Sequence, residues 1–158
     1  MTSKKDKQNP MHQAIGFLAR RDHSVHELRL KLLQKEHDDA VVDKVLVELQ
    51  QREYLDDRRY AQMMLRHHYS RGQGPQKIRY LLNQNNVSND IISEAFEEFE
   101  EDWFALAKNV RQKRFGIEFK SVDQAELYKE KSKQMRFLMT RGFESDQIQY
   151  AMTQASRV

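Results

Sequence analysis

The feature that most constrains this chain is an internal repeat. Shifting the sequence by about fifty residues places Leu28 on Ile78, Leu32 on Leu82, Val41 on Ile91, Val42 on Ile92, Leu46 on Phe96 and Leu49 on Phe99, and it also places Arg29 on Arg79. A further shift of about fifty-six places Leu82 on Leu138, Val87 on Phe143, Ile92 on Ile148, Ala95 on Ala151 and Phe96 on Met152. One unit therefore occurs three times, and the drift in spacing falls in the loops. Each unit is too short to bury its apolar faces alone and needs its neighbours, which is the physics of a tandem array. The predicted divisions are a flexible basic lead-in at 1–8, then three-helix repeats at 9–53, 54–101 and 102–158.

Helix is the expected state throughout. With 5 Gly and 2 Pro in 158 residues, long helical stretches meet few breakers. No segment sustains the period-two alternation of a half-buried strand, so the fold class is all-α. The absence of Cys excludes disulfides and thiolate metal sites and fits a reducing compartment. The amino-terminal MTSKKDKQNP lacks an apolar signal core, and no run approaches the ~18 apolar residues of a membrane span. The expectation is a soluble cytoplasmic protein with no membrane partner.

Capping patterns set the predicted helix starts. Asn9 and Pro10 suit the cap and first position of a helix whose inner face is Met11, Ala14, Ile15 and Leu18. Ser24 and Glu27 form a capping-box pattern ahead of Leu28, Leu32 and Leu33. A third helix carries Val41, Val42, Val45, Leu46 and Leu49. In the middle repeat, Asp56 or Asp57 caps a helix with Tyr60, Ala61, Met64 and Leu65 inward. Gly72 and Gly74 allow left-handed backbone before Pro75, and Asn85–Asn86 turn the chain before Ser88 caps the next helix. In the last repeat Gly116 and Gly142 end helices and Ser121 with Gln124 reads as a cap. The long helix that follows is expected to bury Tyr128, Met135, Leu138 and Met139. Ser145 or Asp146 opens the final helix, with Ile148, Ala151, Met152 and Ala155 packed.

Sites for chemistry are not evident. His67 and His68 are adjacent and so diverge by about 100° on a helix, while His23 and His26 flank a cap with no third ligand at helical spacing. The GQGP turn follows no strand and is not a phosphate loop. Neither a GxSxG nor an HExxH pattern occurs. No catalytic role, metal, cofactor or small-molecule substrate is expected, and the chain does not read as an enzyme.

Charge is more informative than its +3 net value. Six basic and no acidic residues lie between Arg58 and Arg79, seven acidic and no basic ones between Asp90 and Asp102, and ten basic against four acidic between Lys108 and Arg141. Sign alternation between helices sets up a field that selects a charged partner. The candidate binding residues are Arg66, Arg71, Lys77 and Arg79 around the middle turn, Lys108, Arg111, Lys113 and Arg114 on the surface of the first helix of the last repeat, and Lys129, Lys133 and Arg136 on the last long helix. Such groups recognise phosphates or protein carboxylates alike. Tyr69 and Tyr80 sit at helical core spacing and read as core or rim residues rather than base-stacking platforms.

Three pieces of sequence then resemble one family. RRDHSVHELRLKL in the first unit, REYLDDRRYA with RGQGPQKIRYLLNQ in the second, and EDWFALAKNVRQKRFG with QMRFLMTRGFESDQI in the third are similar to the RecX proteins, bacterial modulators of the RecA recombinase. The turns at Lys35–Asp38 and Asn85–Asn86 lack the glycine such turns often have. The resemblance implies an elongated, curved array of three-helix repeats that binds the RecA filament on DNA. It further implies inhibition of RecA's ATPase, strand-exchange and coprotease activities, and so a role in recombination, DNA repair and the SOS response. Direct contact with DNA is expected to be weak. The residues alone leave two other readings open, a sequence-nonspecific single-stranded DNA coat protein and a helical scaffold for another partner.

Overall fold

The computed structural model describes residues 9–154. The expectations for the lead-in at 1–8 and for Ala155 fall outside the described residues. Within them are nine α-helices and no β-sheet: α1 (Pro10–Arg20), α2 (Val25–Gln34), α3 (Asp39–Gln51), α4 (Asp57–Ser70), α5 (Pro75–Gln84), α6 (Asn89–Glu98), α7 (Trp103–Phe115), α8 (Gln124–Thr140) and α9 (Ser145–Thr153). The fold is an all-α tandem repeat. Equivalent positions are buried in every copy: Leu32, Leu82 and Leu138 are fully buried, and Val42, Ile92 and Ile148 nearly so.

Helix starts follow hydrogen-bond chemistry, with instructive departures. The Asn9 side chain accepts from the Met11 amide at 2.9 Å, and Pro10 occupies the first turn. Ser24 Oγ accepts from the Glu27 amide at 3.0 Å, but Glu27 does not reach back to the cap. Its carboxylate is held by both terminal nitrogens of Arg21 at 2.9 Å, a bidentate pair that outcompetes a neutral amide. Asp56 caps α4 through the Arg58 amide, which frees Asp57 to accept from the Val25 amide at 2.9 Å. Asp123, rather than Ser121, caps α8, because Ser121 Oγ donates to Glu130 instead. The last cap is Glu144, not Ser145 or Asp146, and its amide donates to Gln147 Oε1 at 3.0 Å.

The described residues form two compact units, one of residues 9–63 with 82–96 and the other of residues 64–81 with 97–154. The division passes through α4, α5 and α6. In the first unit α1, α2 and α3 pack on one another around Ala14, Leu28, Leu32, Val42, Leu46 and Leu49. Burying each of these Leu and Val side chains stabilises by roughly 1.5–3 kcal/mol before entropy is counted. Ile15 and Val41, expected inside, are exposed; one turn of each helix already fills its inward position with Ala14 and Val42.

In the second unit α7 packs mainly on α9, and α8 touches both. The core there is Ala107, Leu138, Phe143, Ile148 and Ala151, with Leu106, Val110 and Phe137 against it. Helix α8 carries two apolar stripes, and the structure buries the other one. Gln134 and Leu138 are buried, whereas Tyr128, Met135 and Met139, expected inside, are 74%, 41% and 63% exposed. The choice follows from Arg111 of α7, whose side chain reaches Gln134 and turns that face inward.

A tight joint completes this unit. The Gly74 amide donates to the Arg141 carbonyl at 2.7 Å, and the Gln76 amide to the Gly142 carbonyl at 2.9 Å. Gly74 has no left-handed backbone, contrary to expectation; its lack of a side chain matters because a Cβ there would lie 2.4 Å from Gly142 backbone. Gly142 needs both freedoms, with φ +95° and a Cβ position 2.6 Å from Lys77 Cβ.

Candidate functional site

The joint brings basic residues together at a cleft in the second unit. Arg71 and Gly72 come from the turn after α4, Lys113 and Arg114 from the last turn of α7, and Arg141 from the end of α8. The cleft is about 530 Å³, with Leu106, Val110 and Phe137 as apolar walls and Asn109 as a neutral amide. Gly72 lets the turn approach α7, since a Cβ at its φ of +76° would stand 2.9 Å from Val110 Cγ2. Arg141 lies over the Phe137 ring at 5.1 Å and Arg114 at 5.8 Å, so the aromatic face is already occupied by guanidinium groups.

No carboxylate lines this cleft, and none of its four cations forms an ion pair among the described residues. Six other arginines are neutralised. Arg21, Arg29, Arg52, Arg58, Arg59 and Arg79 each hold a carboxylate at 3.0 Å or less. Four cations without an ion pair among the described residues thus gather where three segments converge.

The other candidates are dispersed. Arg79 pairs with Glu144 at 2.9 Å, and Lys77 packs by its backbone and Cβ against Gly142. Arg66, Lys133 and Arg136 are exposed, Lys108 is half-buried, and Lys129 faces Glu126 at a loose 3.7 Å. Arg111 is not on the surface at all. It is completely buried, donating from Nε to Gln134 Oε1 at 3.1 Å and from Nη2 to the Ile117 carbonyl at 3.2 Å, with Nη1 lacking a hydrogen-bond partner among the described residues. Burial lowers its pKa from the usual arginine value, and the Glu130 charge opposes that shift. Arg111 positions α8 and is inaccessible to a partner.

Sequence reasoning missed Arg141, which joins the cleft only through folding. The signal available was its place as the last cation of the basic block beginning at Lys108. On α8 the sequence names Lys129, Lys133 and Arg136 but misses the apolar stripe beside them, because Tyr128, Met135 and Met139 also satisfy core spacing. Tyr69 takes a rim position, packing edge-on against Phe99 and Trp103 with centroids 5.4 and 5.2 Å away, and its hydroxyl donates to the Asp102 carbonyl. Tyr80 is exposed.

Comparison with known proteins decides the family. Profiles described as the first, second and third three-helix domains of RecX match residues 11–49, 56–95 and 100–152. The chain belongs to the RecX family. A "Regulatory protein RecX" of Vibrio parahaemolyticus is 43% identical over 89% of this chain and 87% of its own length. Its namesake in Vibrio vulnificus is 40% identical over 89% and 88%. A crystal structure of a regulatory protein RecX superposes with a TM-score of 0.75 at 21% identity, covering 91% of this chain and 71% of the other, and supports the RecX fold. The RecX family is one of regulatory proteins, and among the described residues no helix is long and apolar enough to cross a membrane.

Proposed function

We propose that this protein is a negative modulator of the RecA recombinase, docking on the RecA–DNA filament and lowering its ATPase, strand-exchange and coprotease activities. Membership of a regulatory family named RecX provides the context. The observation that carries the reading is the outer face of α8, where Tyr128, Met135 and Met139 are exposed beside Lys129, Lys133 and Arg136. A naked nucleic acid is bound chiefly through cations. An exposed apolar stripe rimmed by charge is instead the composition of a protein-docking surface. RecA protein is the partner on this reading, and DNA is met within its filament.

The test is the rate of ATP hydrolysis by RecA on single-stranded DNA, titrated with this protein well below one copy per RecA protomer. The rate falls at such ratios, and excess free DNA does not restore it. Replacing Tyr128, Met135 and Met139 together by Gln abolishes most of the inhibition while circular dichroism retains full helicity, because none of the three supports the core. Inhibition seen only once DNA is saturated would replace this reading with a single-strand coat protein, whose affinity falls with salt by a slope near ~0.7 per neutralised phosphate.

A further inference from the structure

We infer that the cleft between the turn at Arg71–Gly72, α7 and the end of α8 is a binding site for a nucleoside polyphosphate. This inference is independent of the α8 face and of RecA. Four cations converge on one cleft of about 530 Å³ without a carboxylate to neutralise them. Like charges held together by the fold repel, so a compact polyanion is the ligand that gains most by entering. The volume lies in the ordinary range for small-ligand sites, roughly 300–1,000 Å³.

The arrangement favours a free nucleotide over a strand. A single-stranded chain is tracked by a row of cations with bare aromatic faces for successive bases. Here the charge is gathered at one place, and Phe137 is covered by Arg114 and Arg141. The phosphates fall to Arg71, Lys113, Arg114 and Arg141, which supply charge-assisted hydrogen bonds. The Leu106 and Val110 wall takes the apolar face of the base, and the Asn109 amide offers a donor and an acceptor to its edge.

Isothermal titration calorimetry of the intact protein with ATP, inorganic tripolyphosphate and sulfate tests the assignment. ATP binds more tightly than tripolyphosphate, and both bind more tightly than sulfate. Lys113→Gln with Arg114→Gln, both exposed, weakens ATP binding at least about tenfold with helicity unchanged. Asn109→Ala narrows the gap between ATP and tripolyphosphate. Equal affinity for ATP in the double variant would overturn the site, as would ATP binding no tighter than sulfate. Parity of ATP with tripolyphosphate would overturn the nucleoside part, and stronger occupancy of the same residues by oligo(dT) would make the cleft a strand site instead. The RecA readout stands or falls separately, since the glutamine variants of Tyr128, Met135 and Met139 leave this cleft intact.

Discussion

The same joint is built twice in this protein, once with side chains and once with bare backbone. In the first unit, the start of α2 meets the turn after α5 through the Asn86 side-chain amide, which lies 3.1 Å from His26 Nδ1. In the second unit the corresponding start of α5 meets the turn after α8 through the Gly74 and Gln76 amides and the Arg141 and Gly142 carbonyls. The repeat register pairs His26 with Gln76 and Asn86 with Gly142. At Val25 the backbone amide has Asp57 as acceptor; its counterpart Pro75 has no amide to satisfy. Side chains give the first joint reach and latitude. Glycines give the second joint contact at van der Waals distance, and the cleft cations Arg71 and Arg141 flank it.

The largest difference between the joints is expected under a single methyl group. Gly142→Ala combines left-handed strain with a collision against Lys77, and loses about 2–4 kcal/mol of stability in urea denaturation. Asn86→Ala, at φ +56° and with open reach to His26, loses about 1–2 kcal/mol. Equal losses would break the comparison.

Acid sharpens it next. His23 precedes the first joint, fully enclosed, with Nδ1 at 3.0 Å from the Arg21 carbonyl and Nε2 at 2.7 Å from Lys31 Nζ. The neutral ring satisfies both, donating from Nδ1 and accepting at Nε2. Burial, with the charges of Arg21 and Lys31, lowers the His23 pKa from 6.5. Since the folded value is the lower one, the contribution is complete above the unfolded value and is lost as pH falls below it toward the folded value. Stability measured from pH 7.5 to 5 therefore declines below about 6.5, the ordinary histidine value. Replacing His23 by Gln, the residue at its counterpart Gln73, flattens that decline. His68, paired to Gln73 at 2.8 Å and also lowered by burial, accounts for the slope that remains.

The smallest effect belongs to the third member of the series. Glu36, at the position equivalent to Asn86 and Gly142, has φ +65°. Glu36→Gly relieves left-handed strain while loosening the unfolded chain, and raises the denaturation midpoint by the equivalent of less than about 1 kcal/mol. A loss at this position would show that its side chain outweighs its backbone.

These joints also explain what was legible in advance. The repeat register gave Leu32, Leu82 and Leu138 because burial repeats with period, and the caps at Asn9 and Ser24 because their chemistry is local. Helix α8 was misread because both its stripes satisfy helical spacing, and only the buried Arg111–Gln134 contact distinguishes them. A charged residue gives no sequence sign that it will be interior. The cleft was half visible: Arg71, Lys113 and Arg114 were named, but their convergence with Arg141 depends on two glycines whose common role exists only in three dimensions.

That dependence has a consequence for how such a sequence can vary. Gly74 and Gly142 are distant in the chain, yet a Cβ on Gly74 would lie 2.4 Å from Gly142 backbone, and one on Gly142 would lie 2.8 Å from the Lys77 amide nitrogen and 3.2 Å from the Gly74 carbonyl. Neither can acquire even a methyl group while the facing backbone keeps its place, and a second side-chain change offers no remedy, because Gly142 main chain stands in the way at Gly74 and the Lys77 amide nitrogen at Gly142. For mutation, the two positions behave as one letter with a single permitted spelling. The side-chain joint around Asn86 and His26 leaves its half of the molecule far more room to drift.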